Sequence, residues 1–348
     1  MIKVIIVDDS RVAQEFLAHV LSSDPAIQVV GTANNGVEAL SAVKEKRPDV
    51  ITMDIHMPEL NGYEATRAIM ESAPTPIVIV SASTTVTDTS STFRALEAGA
   101  LAVVLRPPGM GHPEHETGVR EMLRTIKMMS EIKVVRRTPR LVKVRPSTPA
   151  PAAAREIQLV AIGASTGGPP ALNMILSGLP PNLAAPLFIV QHIAPGFTDG
   201  FANWLGSASG FPLHIAHHGQ QPVPGHAYVA PDGFHLGVSS SLRIELSSHA
   251  PENGLRPSVA YLFRTVAQVL GPRAMGVLLT GMGRDGAVEL KEMKDRGALT
   301  IAQDEASCIV FGMPGEAVKI GAATHILPPD EIASMLANVV RTTMRGSR

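Results

Sequence analysis

The sequence holds a single cysteine, Cys308, and a single tryptophan, Trp204. One thiol cannot close an internal disulfide, which excludes a disulfide-stapled secreted scaffold. Neither sign of charge is in excess: 30 Lys and Arg face 31 Asp and Glu, a formal net charge of −1. Nothing global then favours nucleic acid or an anionic membrane surface. No apolar run reaches the length needed to cross a bilayer, and the chain opens on a strand pattern rather than a signal peptide. The expectation is a reduced cytoplasmic protein with no nucleic-acid partner and no direct membrane insertion. What the chain has in quantity is apolar residues, 45% against 18% charged, which suits well-buried α/β cores. At 348 residues it is long enough for two domains.

The first part alternates apolar strands (3–7, 28–31, 50–53, 77–80 and 102–105) with amphipathic helices (11–21, 36–46, 62–71, 89–98 and 118–129). Such βα units predict a flavodoxin-like, doubly wound parallel sheet. From Lys133 to Arg155 the texture changes to basic residues, prolines and the run Pro149-Ala150-Pro151-Ala152-Ala153-Ala154, the composition of a semi-extended linker. We place the first domain at 1–125, a basic Pro/Ala-rich linker at 126–156 and the second domain at 157–345. The second is expected to be another doubly wound, mainly parallel α/β domain. Its β-rich middle, Leu213–Leu246, carries turn signals at Pro224-Gly225 and Pro231-Asp232-Gly233 and reads as an antiparallel extension of one sheet edge. Arg256-Pro257-Ser258 signals a helix start before 258–270, and a last helix is expected at 329–341.

In the first domain Asp8 and Asp9 end the first strand and Asp54 ends the third. In a doubly wound sheet these ends share one carboxyl edge, so three carboxylates converge. That is unfavourable unless a cation holds them, and hard oxygen ligands in this number suit Mg²⁺, which would also neutralise an arriving phosphoryl group. Ser81 and Arg106 add a hydroxyl and a cation at the same edge. The bland alternative is a solvated acidic rim.

In the second domain Gly163-Ala164-Ser165-Thr166-Gly167-Gly168 follows the apolar strand 159–162. A serine among glycines between strand and helix can be presented as a nucleophile, or the turn can cradle a phosphate. Gln191-His192 and Thr280-Gly281-Met282-Gly283-Arg284-Asp285-Gly286 follow two further strands. Together these sites supply a hydroxyl, an imidazole and a carboxylate, the parts of an acyl-transfer triad. Ser165 would attack, His192 would take its proton, Asp285 would fix the imidazole, and the Met282 N–H could face the oxyanion. Although Gly163–Gly167 fits G-x-S-x-G, the chain order serine, histidine, acid is not that of α/β-hydrolases.

Two resemblances follow from these residues. Val7-Asp8-Asp9-Ser10 with Met53-Asp54-Ile55-His56-Met57-Pro58-Glu59-Leu60-Asn61-Gly62 resembles a response-regulator receiver domain. The resemblance implies Asp54 as phospho-acceptor, Asp8, Asp9 and Asp54 with the His56 carbonyl as Mg²⁺ ligands, and Ser81 as a switch residue. Where that family normally has lysine, this chain has Arg106. The second domain, through Gly163–Gly168, Gln191-His192-Ile193, residues 279–286 and residues 302–314, resembles the catalytic domain of the chemotaxis protein-glutamate methylesterases (CheB family). That implies Ser165, His192 and Asp285 as triad, Met282 as oxyanion donor and Thr166 as neighbour of the nucleophile, with no cofactor in the esterase site. It further implies methyl-accepting chemotaxis receptors as substrates, glutamate methyl ester hydrolysis with glutamine deamidation, a chemotaxis histidine kinase as phosphodonor, and a receiver that uncovers the cleft when phosphorylated.

Other features draw no role. Cys308 reads as a small core residue, His112 and His115 lack further ligands, and Trp204 packs a helix. A signalling adaptor with a vestigial triad and a transcription factor are the competing classes. The second is disfavoured by the absence of a short basic helix-turn-helix unit.

Overall fold

The computed structural model describes residues 1–82, 86–132, 134 and 156–340. The chain divides into two compact units, Met1–Val144 and Arg145–Arg348. The first runs β1 (Ile2–Val7), α1 (Arg11–Ser22), β2 (Ile27–Ala33), α2 (Gly36–Lys46), β3 (Val50–Met53), α3 (Gly62–Ser72), β4 (Ile77–Ser81), α4 (Val86–Ala98), β5 (Ala102–Leu105) and α5 (His115–Ser130). Its strands pair in parallel in the order β2-β1-β3-β4-β5, the flavodoxin-like order expected. β3 and β4 are buried along their whole length, as a parallel sheet covered on both faces requires.

Local chemistry starts the helices where the sheet needs them. Asn35 and Asn61 accept from the N–H groups of Glu38 and Glu64, and the glutamate three residues on is the sequence mark of a helix start. The expected linker start at residue 126 is corrected by α5. Met122, Ile126 and Met129 lie on one stripe at helical spacing and are all buried, so the helix continues through Ser130. Most of the remaining linker, residues 133 and 135–155, and the end of the expected second domain, 341–345, lie outside the described residues.

The second unit runs β6 (Leu159–Ala164), α6 (Gly168–Ser177), β7 (Leu187–Gln191), α7 (Thr198–Ser209), β8 (Leu213–Ile215), β9 (Ala227–Val229), β10 (His235–Val238), β11 (Ile244–Ser247), α8 (Val259–Leu270), β12 (Ala274–Leu278), α9 (Ala287–Asp295), β13 (Leu299–Gln303), α10 (Met313–Lys319), β14 (His325–Leu327) and α11 (Pro329–Val339). Seven strands form one parallel sheet in the order β14-β13-β12-β6-β7-β9-β8. β6, β7 and β12, the middle of that sheet, are wholly buried. Each fully buried Leu, Ile or Phe there contributes about 1.5–3 kcal/mol.

The expected antiparallel edge extension is not what the β-rich middle does. β8 and β9 extend the edge in parallel, with residues 216–226 as the connection. The antiparallel pair β10–β11 is a separate two-stranded sheet. Its apolar face, Leu236, Val238 and Ile244, joins the core cluster with Leu262, Phe263 and Val266 of α8, so burial against a helix, not sheet pairing, decides its place. Trp204 lies buried on α7, as expected.

Candidate active site and phospho-acceptor pocket

Ser165 and His192 sit one residue beyond the carboxyl ends of β6 and β7, and Asp285 lies in the loop between β12 and α9. Ala164 and Gln191 are paired across β6 and β7, so Ser165 and His192 leave adjacent strands one residue past a paired position. Their backbones are tied there. His192 N–H donates to Ala164 O (2.9 Å), and Ser165 N–H donates to Thr280 O (3.1 Å) on the other flank. Gly281 is forced by proximity, since a Cβ at that position would lie 2.7 Å from Ser165 Cβ and 2.5 Å from Met313 Sδ.

The imidazole and carboxylate meet. His192 Nε2 lies 3.0 Å from Asp285 Oδ2, with both side chains nearly buried. The approach is off the line of a full hydrogen bond, and no hydrogen-bond partner satisfies this nitrogen. Catalytic hydrogen bonds are often loose before substrate binds. Asp285 also does what its position in the sequence did not announce. Its Oδ2 accepts from Val259 N–H (2.7 Å) and its Oδ1 from Ala260 N–H (3.2 Å). The buried carboxylate therefore sits on the N-terminus of α8, where unpaired N–H groups and the helix dipole favour negative charge. Ser258 caps the same helix by accepting from Tyr261 N–H (3.1 Å). The fully buried His235 accepts from Ser258 N–H through Nδ1 (3.2 Å).

Three residues escaped notice as individuals although each stands inside a motif read from the sequence. Gln191 donates from one nitrogen to the carbonyls of Ser165 (2.9 Å) and His192 (2.8 Å). Thr280 donates its hydroxyl hydrogen to Thr166 O (2.9 Å) and accepts from the N–H groups of Ile309 (3.1 Å) and Val310 (2.9 Å). Gln303 Oε1 accepts from Thr280 N–H (2.8 Å). Only their placement at strand ends beside the serine and histidine could have flagged them. Thr166 is half-buried next to Ser165, and Met282 is half-buried next to Gly281. Among the described residues no backbone carbonyl accepts the Met282 N–H. Cys308 is no rival nucleophile, because burial pushes its thiol up to about 12.

In the first unit Asp8, Asp9 and Asp54 present carboxylate oxygens within 4.8 Å of one another, an arrangement compatible with Mg²⁺. Burial first, then the Asp8 charge, pushes the Asp54 carboxyl up to about 6, against the pull of the Ile55 N–H, Arg106 and His56. Asp8 is also raised, by burial, although it accepts from Ser10 N–H (2.9 Å) and pairs with Arg106. Arg106 reaches across from the end of β5, its Nη2 at 2.6 Å from Asp8 Oδ2. Ser81 is buried at the end of β4 and accepts through its carbonyl from Arg106 N–H (2.8 Å). Beneath the pocket a Cβ on Gly62 would stand 2.0 Å from the carbonyl oxygen of Asp54, so only glycine fits. All the expected residues of this pocket thus come from strand ends or the loops that follow them.

Comparison with known proteins agrees with both units. The family model described as CheB methylesterase matches residues 160–336, and that of the response regulator receiver domain matches residues 4–112. The protein-glutamate methylesterase/protein-glutamine glutaminase of Nitrosospira multiformis is 53% identical over 345 residues, covering 98% of this chain and 97% of that protein. A protein of the same description from Geobacter metallireducens is 52% identical over 343 residues, covering 97% and 99%. Among solved structures, the Thermotoga maritima CheB methylesterase catalytic domain is similar with a TM-score of 0.52 and 37% identity, covering 53% of this chain and 99% of that one. The chain belongs to the CheB family of receiver-linked protein-glutamate methylesterases/protein-glutamine glutaminases.

Proposed function

We propose that this protein hydrolyses glutamate γ-methyl esters, and deamidates glutamines, on methyl-accepting chemotaxis receptors in the cytoplasm, under control of phosphorylation at Asp54. The observation that carries the reading is the 3.0 Å contact between His192 and Asp285 at the sheet edge where Ser165 leaves β6. Asp285, hydrogen-bonded to the first N–H groups of α8, orients the imidazole and balances the positive charge it gains. With Nε2 turned to Asp285, Nδ1 is the nitrogen left to serve the serine.

Ser165 Oγ attacks the ester carbonyl while His192 takes its proton. The tetrahedral oxyanion is met by the Met282 N–H, beside Ser165 across Gly281. Collapse expels methanol, protonated by His192, or ammonia when the substrate is glutamine. Water then enters through the same base, cleaves the acyl-enzyme and leaves glutamate. Thr166 lines the site, and this chemistry calls for no cofactor.

In the receiver the phosphoryl group passes from a chemotaxis histidine kinase to Asp54. Asp8, Asp9, Asp54 and the His56 carbonyl would hold Mg²⁺, which when bound supplies charge neutralisation at the phosphoryl oxygens. Ser81 donates to a phosphoryl oxygen, and Arg106 supplies the cation that lysine supplies elsewhere in the family. The order receiver (from residue 1), basic linker, hydrolase (from residue 157) supports control in cis. No described helix is long and apolar enough to cross a membrane. The test is mass spectrometry of methylated receptor peptides, with methanol release followed with and without a small phosphodonor. Receptor peptides unchanged after treatment would sink the reading.

A further inference from the structure

Gln191 is the least comfortable residue of the candidate site. It ends β7, is 4% exposed, and gives both hydrogens of its carboxamide to carbonyls: Ser165 O at 2.9 Å and His192 O at 2.8 Å. Both partners are acceptors, so the amide cannot be reversed without setting its oxygen against two carbonyl oxygens. Its own Oε1 is consequently driven into a buried position with no partner. It is wedged against Gly168, where a Cβ would stand only 2.1 Å away. A buried amide oxygen left unpaired is costly, and it persists where something else requires the geometry.

We infer that Gln191 is a positioning residue that sets the separation of the nucleophile from its base; this rests on Ser165 and His192 acting as proposed above. Among the described residues, the Gln191 carboxamide holds the main chain of both residues at once. Ser165 and His192 leave neighbouring strands with their N–H groups already tied, to Thr280 O and Ala164 O, but those bonds leave the orientation of the two carbonyls, and of the peptides that follow, to other contacts. Two N–H···O contacts from a single nitrogen hold both carbonyls together. A displacement of about 1 Å between reacting groups is enough to cost about 10²-fold in rate.

The experiment measures covalent labelling of Ser165 by a fluorophosphonate in the full-length protein, with kcat and KM for methyl ester hydrolysis alongside. Gln191→Glu keeps the shape but has no donor when ionised. Gln191→Met keeps the length without polarity. Both are expected to slow labelling by about 10²-fold at neutral pH, with kcat falling and KM nearly unchanged. The ratio of Gln191→Glu to wild type should rise as pH falls, since a protonated carboxyl regains one donor. A merely space-filling side chain would leave that ratio flat. In the wild type, the Gln191 side-chain amide protons should exchange slowly and shift on phosphonylation of Ser165, a readout that needs no variant to fold. Wild-type labelling rates in both variants, a pH-independent ratio, or fast exchange of those protons would each overturn the inference. A wild-type chain that the reagent does not label at Ser165 would instead overturn the reading beneath it, and Ser165→Ala identifies that case.

Discussion

The two units place their chemistry at the same architectural position, the carboxyl edge of a parallel sheet, and solve opposite electrostatic problems there. The first gathers like charges. Asp8 and Asp54 are pushed up from ordinary carboxylate behaviour because burial first, then repulsion (from Asp9 on Asp8, from Asp8 on Asp54), outweighs the pull of Arg106 and of backbone N–H groups. The second gathers one charge and compensates it locally, setting Asp285 on two N–H groups of α8 before it faces His192. An edge left in electrostatic deficit is suited to receive a cation and a phosphoryl group. An edge already balanced is suited to pass a proton and hold a transient oxyanion. The sheet supplies the convergence in both, and the partners of the carboxylates decide what converges.

The largest break in the comparison is expected in the second unit. Ser165→Ala or His192→Ala should lower ester hydrolysis by about 10⁴-fold or more, read as methanol released from methylated receptor. Asp285→Asn should lower kcat by about 10³–10⁴-fold, by weakening control of the imidazole. Because both carboxylate oxygens accept from α8 and asparagine keeps only one acceptor, Asp285→Asn should also lower stability by about 1 kcal/mol in denaturant unfolding, which Ser165→Ala should not. Loss of activity with no change in stability would mean that the capping contacts carry no weight.

Much of this was legible before any coordinates. The parallel order of the first sheet, the acidic pocket and the three residues of the proposed triad all follow from apolar strands that end in chemically active residues. What stayed hidden was contact between sequence-distant backbones. Asp285 stands before Gly286 and α9, so a cap on α9 is its obvious dull role, yet its partners Val259 and Ala260 are some 25 residues earlier. The antiparallel pair β10–β11 was read correctly as strands and wrongly as a sheet edge, because hydrophobic alternation states which face is buried without stating against what. The helix end expected at 129 lies within one residue of the end of α5, but the linker start at 126 cut through that same helix, whose Ile126 and Met129 keep the apolar stripe.

Glycines sharpen the comparison next, for each edge has one pressed beneath its functional residue. Gly281→Ala would drive a methyl into Ser165 Cβ at 2.7 Å, and is expected to cost about 10²-fold in kcat by shifting the nucleophile. Gly62→Ala meets the Asp54 carbonyl at 2.0 Å, a backbone atom that cannot swing aside. It should destabilise the receiver by about 1–3 kcal/mol and slow Asp54 phosphorylation, leaving unphosphorylated hydrolysis intact. Calorimetry and phosphorylation assays on both variants check the pair. Equal effects on both activities from either glycine would mean that the two edges are not independent. Asp54→Asn is milder still: basal hydrolysis should be unchanged, and the stimulation by a small phosphodonor should vanish.

The smallest expected effect tests the charge deficit itself. Asp54 takes up its proton near pH 6 in the folded chain, against an ordinary value of 3.8. Between these values the folded chain holds a proton that the unfolded chain has released, so stability contributed by this group is lost as pH rises through the window. Asp8, raised for the same first reason, acts in the same direction. In chelator, Asp54→Asn should therefore raise the thermal midpoint of the full-length protein at pH 7.5 by a few degrees and leave it unchanged at pH 4. The corresponding energy is on the order of 2 kcal/mol, discounted for the part of the side chain that solvent reaches. Adding Mg²⁺ at pH 7.5 should reverse the order, because the ionised wild-type cluster binds the cation and the asparagine variant binds it less well. The hydrolase edge should show no such inversion, since its carboxylate is already paired. If Asp54→Asn shifts the midpoint equally at both pH values, the substitution acts through packing, and the contrast between an unbalanced and a balanced sheet edge loses its energetic basis.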